Sequence, residues 1–146
     1  MMSEYRHNKT VPLFEEFCKK NQVDGKEIDA KIAGKTLRLK VAATAQSQAK
    51  GFMGATSEPE EGEGIIFIYD GNQPLSFWMK DVRFPLDIIF FDSAMRYVGH
   101  ETMVPTTGEA DHKLPRYFSK KPARFAVELT VGWFDKHGSD NCDLTI

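Results

Sequence analysis

Two carboxylates and one aromatic–cation pair are the residues whose types and spacing could do chemistry. Asp87 interrupts the apolar run Leu86 to Phe91, and Glu128 interrupts the alternating run Arg124 to Val131. Held in one concavity, they could divide acid and base roles in hydrolysing a saccharide or similar polar substrate. Leu86, Ile88 and Phe90 face one side of their strand, and Asp87, Ile89 and Phe91 the other. Both sides are apolar, so Asp87 is expected to be at least partly buried. A buried carboxylate is costly unless paired or hydrogen-bonded. Its available partners are Lys80, Arg83, Arg124 and the backbone N–H groups of the Lys80–Phe84 turn, and the plainer reading has Asp87 tie down that turn. For Glu128 the plainer reading is a solvated outward charge beside Arg124, two residues away on the same face.

Trp78 and Lys80 share a strand face by alternation, opposite Phe77 and Met79. They read equally as an amphipathic surface with the Lys stem on the indole, or as a ligand platform with an aromatic face and a cation for an anionic group. Arg83, Arg124 and Tyr117 complete the candidate ligand-binding set. The stretch His112 to Arg124 is basic, with Tyr117 and Phe118 interleaved. It could hold an anionic polymer, although a solvated loop balancing the acidic Glu58–Glu63 loop explains it as well. His100-Glu101 begins like a zinc-binding helix motif, but Val104 stands where the second His is required and the segment reads as strand. A site from His100, Glu101 and His112 lacks the usual ligand count and spacing. No nucleophile elbow and no glycine-rich phosphate loop is present, so neither metal nor cofactor is expected.

Short strands must position these residues. Thr36 to Ala43 alternates, with Leu37, Leu39 and Val41 on one side. Thr44 can cap a helix that ends near Gly51 to Gly54. Gly64 to Tyr69 is an unbroken apolar run; Asp70-Gly71-Asn72 is expected to turn it into a hairpin with Leu75 to Met79. Leu86 to Phe91 is a second apolar strand, followed by Met95 to Val104 with a bulge at Gly99. Pro105 to Lys121 has no clear period, and loops of that length are usually functional or disordered. Arg124 to Val131 alternates, and Gly132-Trp133-Phe134 closes it. Near the start, Thr10 could cap a short helix with Leu13, Phe14, Phe17 and Cys18 on its buried stripe. Asn21 to Gly34 reads as loop. An extension over residues 1–35 and one β domain over 36–146 follow. Hairpin turns without a strand–helix alternation argue for an all-β, mainly antiparallel sandwich or barrel, jelly-roll-like, with one or two short helices.

The chain has 146 residues, 41% hydrophobic and 27% charged, which is one domain with enough apolar mass for a core. A net charge of -2 argues against a protein built as a whole to bind nucleic acid. No apolar run reaches a membrane span. The first residues carry charges where a signal peptide needs its apolar middle, so a cytoplasmic location is expected. Cys18 and Cys142 form no C-x-x-C pair and read as free thiols, Cys142 in a polar tail.

LKVAATAQSQAKGFMG, GIIFIY, FWMKDVRFPLDIIFFD and RYFSKKPARFAVELTVGWFDKHG follow in an order that resembles domain-of-unknown-function family 192, also known as uncharacterised protein family 127. That pattern runs through G-L-M, G-M-L-F, W-M-K, L-D-I-I-F and a late L-E-L-x-x-G. The match spans roughly Leu37 to Gly138. The resemblance implies a compact, mainly β fold related to jelly rolls, and no established activity. Tyr117, Ser119, Pro122 and Ala123 match the pattern, which implies a shaped loop covering the site. Here G-L-M reads Gly51-Phe52-Met53, and Ala55 replaces a basic residue. Many members carry a signal peptide and many end with a G-D strand; this chain ends SDNCDLTI. Three functions fit these residues: a non-catalytic ligand-binding or accessory protein for a small polar ligand or saccharide, a hydrolase using Asp87 and Glu128, and an anionic-polymer interaction module.

Overall fold

The computed structural model describes residues 23–146. The helix expected after Thr10, with Cys18, lies outside them. Along the chain run β1 (Glu27–Ile32), β2 (Lys35–Ala42), α1 (Ala45–Lys50), β3 (Glu63–Gln73), β4 (Ser76–Phe77), β5 (Leu86–Phe91), β6 (Tyr97–Met103), β7 (Tyr117–Phe118), β8 (Ala123–Thr130), α2 (Trp133–His137) and β9 (Leu144–Thr145). Seven strands form one curled sheet, a half-barrel, in the order β6-β5-β8-β3-β2-β1-β9, and β4 pairs with β7 beside it. The expected mainly β class with short helices holds.

The pairings are antiparallel except β2 with β3, which run parallel in register from Arg38↔Glu63 to Ala42↔Phe67. A parallel pair needs a crossover connection, and residues 43–62 with α1 provide it. Two expectations fail here. Residues 27–32, read as loop, are strand β1, so the sheet begins before residue 36. The expected hairpin at Asp70 does not form: β3 runs on to Gln73 and pairs with β2 and β8, while β4 pairs with β7. The expected bulge is present, with the β5–β6 register shifting opposite Gly99.

Both faces of the sheet are covered, and residue parity assigns each side chain to a face. One face carries Ile66, Ile89, Phe91, Phe125 and Leu129, packed against Trp133 and Phe134 of α2. The other carries Ile65, Phe67, Leu86, Ile88, Phe90 and Ala126, packed under Leu75, Phe77, Met79, Val82 and Phe84. Each such large side chain contributes about 1.5–3 kcal/mol on full burial. Strand β5, flanked by β6 and β8, is buried at all six positions, which explains its unbroken apolar run. Gly64 permits the close pairing of β3 with β8, because a Cβ there would collide with the Glu128 carbonyl oxygen. Cys142, expected in a polar tail, is a free buried thiol in the core cluster, just before β9.

α1 is short and has no buried residue, so its ends must hold it. Thr44 Oγ1 accepts from Ser47 N while Ser47 Oγ accepts from Thr44 N, a reciprocal capping box. Asp24 anchors the cap from outside: its Oδ1 accepts from Ser47 Oγ at 2.6 Å and Ala43 N at 2.8 Å. These bonds hold the Asp24 carboxyl below its ordinary range against the opposing effect of burial. Thr44→Ala is expected to cost about 1 kcal/mol in urea unfolding, with early hydrogen exchange confined to residues 44–54.

Candidate functional site

A cleft of about 280 Å³ opens between α1, the segment after β4, and the face of the sheet that carries Phe67. Phe67 and Tyr69 of β3 and Glu128 of β8 line its sheet side. They share a face because β3 and β8 pair antiparallel, with Ile65 opposite Glu128 and Phe67 opposite Ala126. The turn Gly51-Phe52-Met53 forms one wall, and Phe77, Trp78 and Lys80 form the other. Gly51 lies close over the carboxyl at φ 45°: a Cβ there would stand 3.6 Å from Glu128 Oε1 and 3.4 Å from Phe67 Cζ.

Glu128 is 5% exposed. Its carboxyl has no hydrogen-bond or ion-pair partner among the described residues, yet no buried polar atom is left stranded, so its oxygens open on the cleft. Burial alone pushes its pKa up to about 8. Removing a carboxylate from water without a partner favours the neutral acid. The solvated outward reading of Glu128 is therefore overturned, because the segment 75–84 covers the face that alternation left polar. Nor does Arg124 pair with it: Arg124 Nε donates to the Tyr69 carbonyl at 2.9 Å. Tyr69 has its phenol raised, first by burial and then by the neighbouring Glu128 charge, so it remains a hydrogen-bond donor at neutral pH.

Trp78 carries cations on its ring. The Arg116 guanidinium lies 4.4 Å from the ring centroid and the Lys80 ammonium 5.5 Å, both within cation–π range. Lys80 also holds Asp111 at 2.8 Å, which raises its pKa through that hydrogen bond and the opposite charge. Arg116 and Lys50 line the cleft with no ion pair among the described residues. The mouth is thus cationic, the walls aromatic and the sheet side acidic.

Asp87 is elsewhere. In the β5–β8 register it stands opposite Leu129, one residue out of step with the Ile88↔Glu128 pair, so the two carboxylates occupy opposite faces of the sheet. Paired-carboxylate hydrolysis through them is excluded on that geometry. Asp87 is 2% exposed. Its Oδ2 accepts from Phe134 N at 2.9 Å and its Oδ1 from Thr102 Oγ1 at 3.2 Å. Phe134 is in the first turn of α2, whose N-cap Gly132 has no side chain to offer. Asp87 supplies that cap from β5, rather than tying down the Lys80–Phe84 turn.

The family model described as Uncharacterized ACR, domain of unknown function 192, matches residues 28–143. The chain belongs to this family. Two solved structures share the fold of this family member. One, a proposed transcription regulator from Sinorhizobium meliloti 1021, has a TM-score of 0.72 at 22% identity over 84% of this chain and 95% of its own. The other, of unknown function, from Novosphingobium aromaticivorans DSM 12444, has a TM-score of 0.69 at 22% identity over 82% and 85%. No curated protein matches. At that identity the likeness is one of fold alone.

Within the family member, the expected ligand-binding residues divide. Trp78 and Lys80 line the cleft. Arg83 is exposed and outside it. Arg124 is 8% exposed and holds the β3 backbone. Tyr117 pairs with Phe77 across β4–β7, and its hydroxyl accepts from Val104 N. The acidic loop is not balanced by the basic one: Glu61 meets Lys136 at 2.8 Å and His137 at 3.6 Å, and Lys120 pairs with Glu101. Among the described residues no cluster of three His, Cys, Asp or Glu could hold a metal ion, and no helix is long and apolar enough to cross a membrane. Sequence reasoning missed Tyr69 and Arg116. Tyr69 was legible as the next same-face position after Ile65 and Phe67; nothing local marks Arg116.

Proposed function

We propose that this chain is a non-catalytic binding protein for a small polar ligand, held in the cleft between α1 and Trp78. The observation that carries this reading is the Glu128 carboxyl, buried and unpartnered among the described residues, at an opening rimmed by Trp78, Arg116 and Lys80. An orphan carboxyl weakens a fold, and a ligand that completes its hydrogen bonds gives it a use. The cleft is near the lower end of known ligand-site volumes, about 300–1,000 Å³, which favours a small molecule over a polymer. The stretches that carry the family resemblance support the same place: Gly51-Phe52-Met53, Phe67, Trp78 with Lys80, and Glu128 come from four parts of the chain and meet around it. A single carboxylate, without a paired acid or an activated nucleophile beside it among the described residues, favours binding over hydrolysis. The free buried thiol of Cys142 is compatible with the reducing cytoplasm expected from the sequence.

A thermal-shift screen of small polar compounds tests the reading, because a ligand that binds the native state raises its melting temperature. Trp78→Ala, which removes the ring that both cations contact, is expected to weaken any hit about tenfold without lowering unliganded stability by more than about 1 kcal/mol. A hit that ignores Trp78→Ala would place binding elsewhere.

A further inference from the structure

The cleft is bipolar. On its sheet side a single carboxyl sits among Phe67, Tyr69 and Phe77, and at its mouth are Arg116 and Lys50, neither neutralised by a carboxylate among the described residues. Lys80 is already engaged by Asp111. Resting on the binding reading above, we infer that the ligand is a small zwitterion, its ammonium end directed inward to Glu128 and the aromatic rings, its carboxylate or phosphate end outward to Arg116 and Lys50. An ammonium answers the lone carboxyl with opposite charge, and the surrounding rings offer it their negative faces. A guanidinium held 4.4 Å from the Trp78 ring centroid can present its donor fork to an anion. A neutral sugar would satisfy the carboxyl but leave the mouth unused. A simple anion would use the mouth and leave Glu128 orphaned. A simple amine would meet the cationic mouth on entry.

Proton traffic separates these ligands. The other titratable or charged groups lining the cleft are Tyr69 from β3, Lys50 from the end of α1, Lys80 after β4 and Arg116 from the 105–121 segment; Arg124 shares the face on β8. Of these, Glu128 is the group shifted into the neutral range, to about 8. An ammonium demands the ionised form, so its binding below pH 8 expels the Glu128 proton. A sugar hydroxyl does not demand it.

The test is isothermal calorimetry on the full chain at pH 7 in buffers of different ionisation enthalpy. The probes are 4-aminobutanoate, 6-aminohexanoate and O-phosphoethanolamine, against butylamine, butanoate and glucose as the singly charged and neutral counterparts. Expected is binding of at least one zwitterion with release of nearly one proton. From a carboxyl midpoint of about 8, affinity should rise roughly 50-fold between pH 6 and pH 8. Glu128→Gln should abolish the proton release and the pH dependence while unfolding cooperatively like the parent. Arg116→Ala should weaken the zwitterion at least about fivefold and leave butylamine unchanged or tighter. Binding of glucose or butanoate at a Trp78-sensitive site, without proton release, overturns the zwitterion and leaves the binding function standing. Binding by no probe of either set overturns both. Zwitterion binding that survives in Glu128→Gln with its proton release intact overturns the assignment to this cleft.

Discussion

Glu128→Gln stabilises the fold above pH 8 and leaves it nearly unchanged near pH 4: that is the expected result of urea unfolding for the unliganded protein. The ordinary carboxyl value of 4.5 applies to the unfolded chain, and burial raises the folded value to about 8. Between those values the native state keeps a proton that the unfolded chain has already released. Stability therefore falls as pH rises, by about 1.4 kcal/mol per pH unit, and flattens above pH 8. The accumulated penalty is on the order of 5 kcal/mol. Glutamine has nearly the same shape and no proton to lose, so its curve lacks that descent. Unfolding at pH 4.5, 6.5 and 8.5 checks this directly. Parallel pH curves for the two proteins would mean that Glu128 ionises in the native state as it does in water.

Asp87→Ala acts in the opposite direction, with an expected loss of about 3 kcal/mol at neutral pH. The substitution removes the acceptor for Phe134 N and for Thr102 Oγ1 and leaves the first turn of α2 uncapped in an apolar setting. A buried donor stranded in this way costs about 1–3 kcal/mol, and losing a charged cap at a helix N-terminus adds to it. Asp87→Asn keeps one acceptor oxygen for Phe134 N and should lose about half as much. Because Asp87 is on the face opposite the cleft, ligand affinity below the melting transition should be unchanged in both variants. Loss of ligand affinity in a folded Asp87→Asn protein would contradict the separation of the two carboxylates.

What the sequence made legible follows from local physics. The alternation of Leu37, Leu39 and Val41, the unbroken apolar run of β5, the Thr44 cap and the bulge opposite Gly99 are each encoded within a few residues, and each is found. The parity of β5, which separates Asp87 from Leu86, Ile88 and Phe90, was readable as well. The relation between β5 and β8 was not, because the Ile88↔Glu128 register is a pairing between segments forty residues apart. One residue of register decides whether two carboxylates face each other or stand back to back. β1 carried a period-2 signal in Ile28, Ala30 and Ile32, but the turn residues flanking it masked so short a strand. The parallel β2–β3 pairing had no local mark at all. At the site, Trp78 and Lys80 do come together, but β4 ends at Phe77, so the turn after it and not strand alternation joins them, and Phe77 lines the same wall. Glu128 was misjudged because alternation reports which side chains are polar and is silent on whether another segment, here 75–84, covers them. Arg116 reaches Trp78 by the path of the 105–121 segment, a purely tertiary fact.

The proposed site depends on one carboxyl that is buried, without a partner among the described residues, and open to a cleft. Site-specific titration of the Glu128 side-chain carbon by NMR, with Glu128→Gln to assign the resonance, measures that state. The expected midpoint is near pH 8, shifting down when a cationic ligand occupies the cleft. A midpoint in the ordinary carboxylate range, near 4.5, would show a solvated or paired Glu128 and contradict the site.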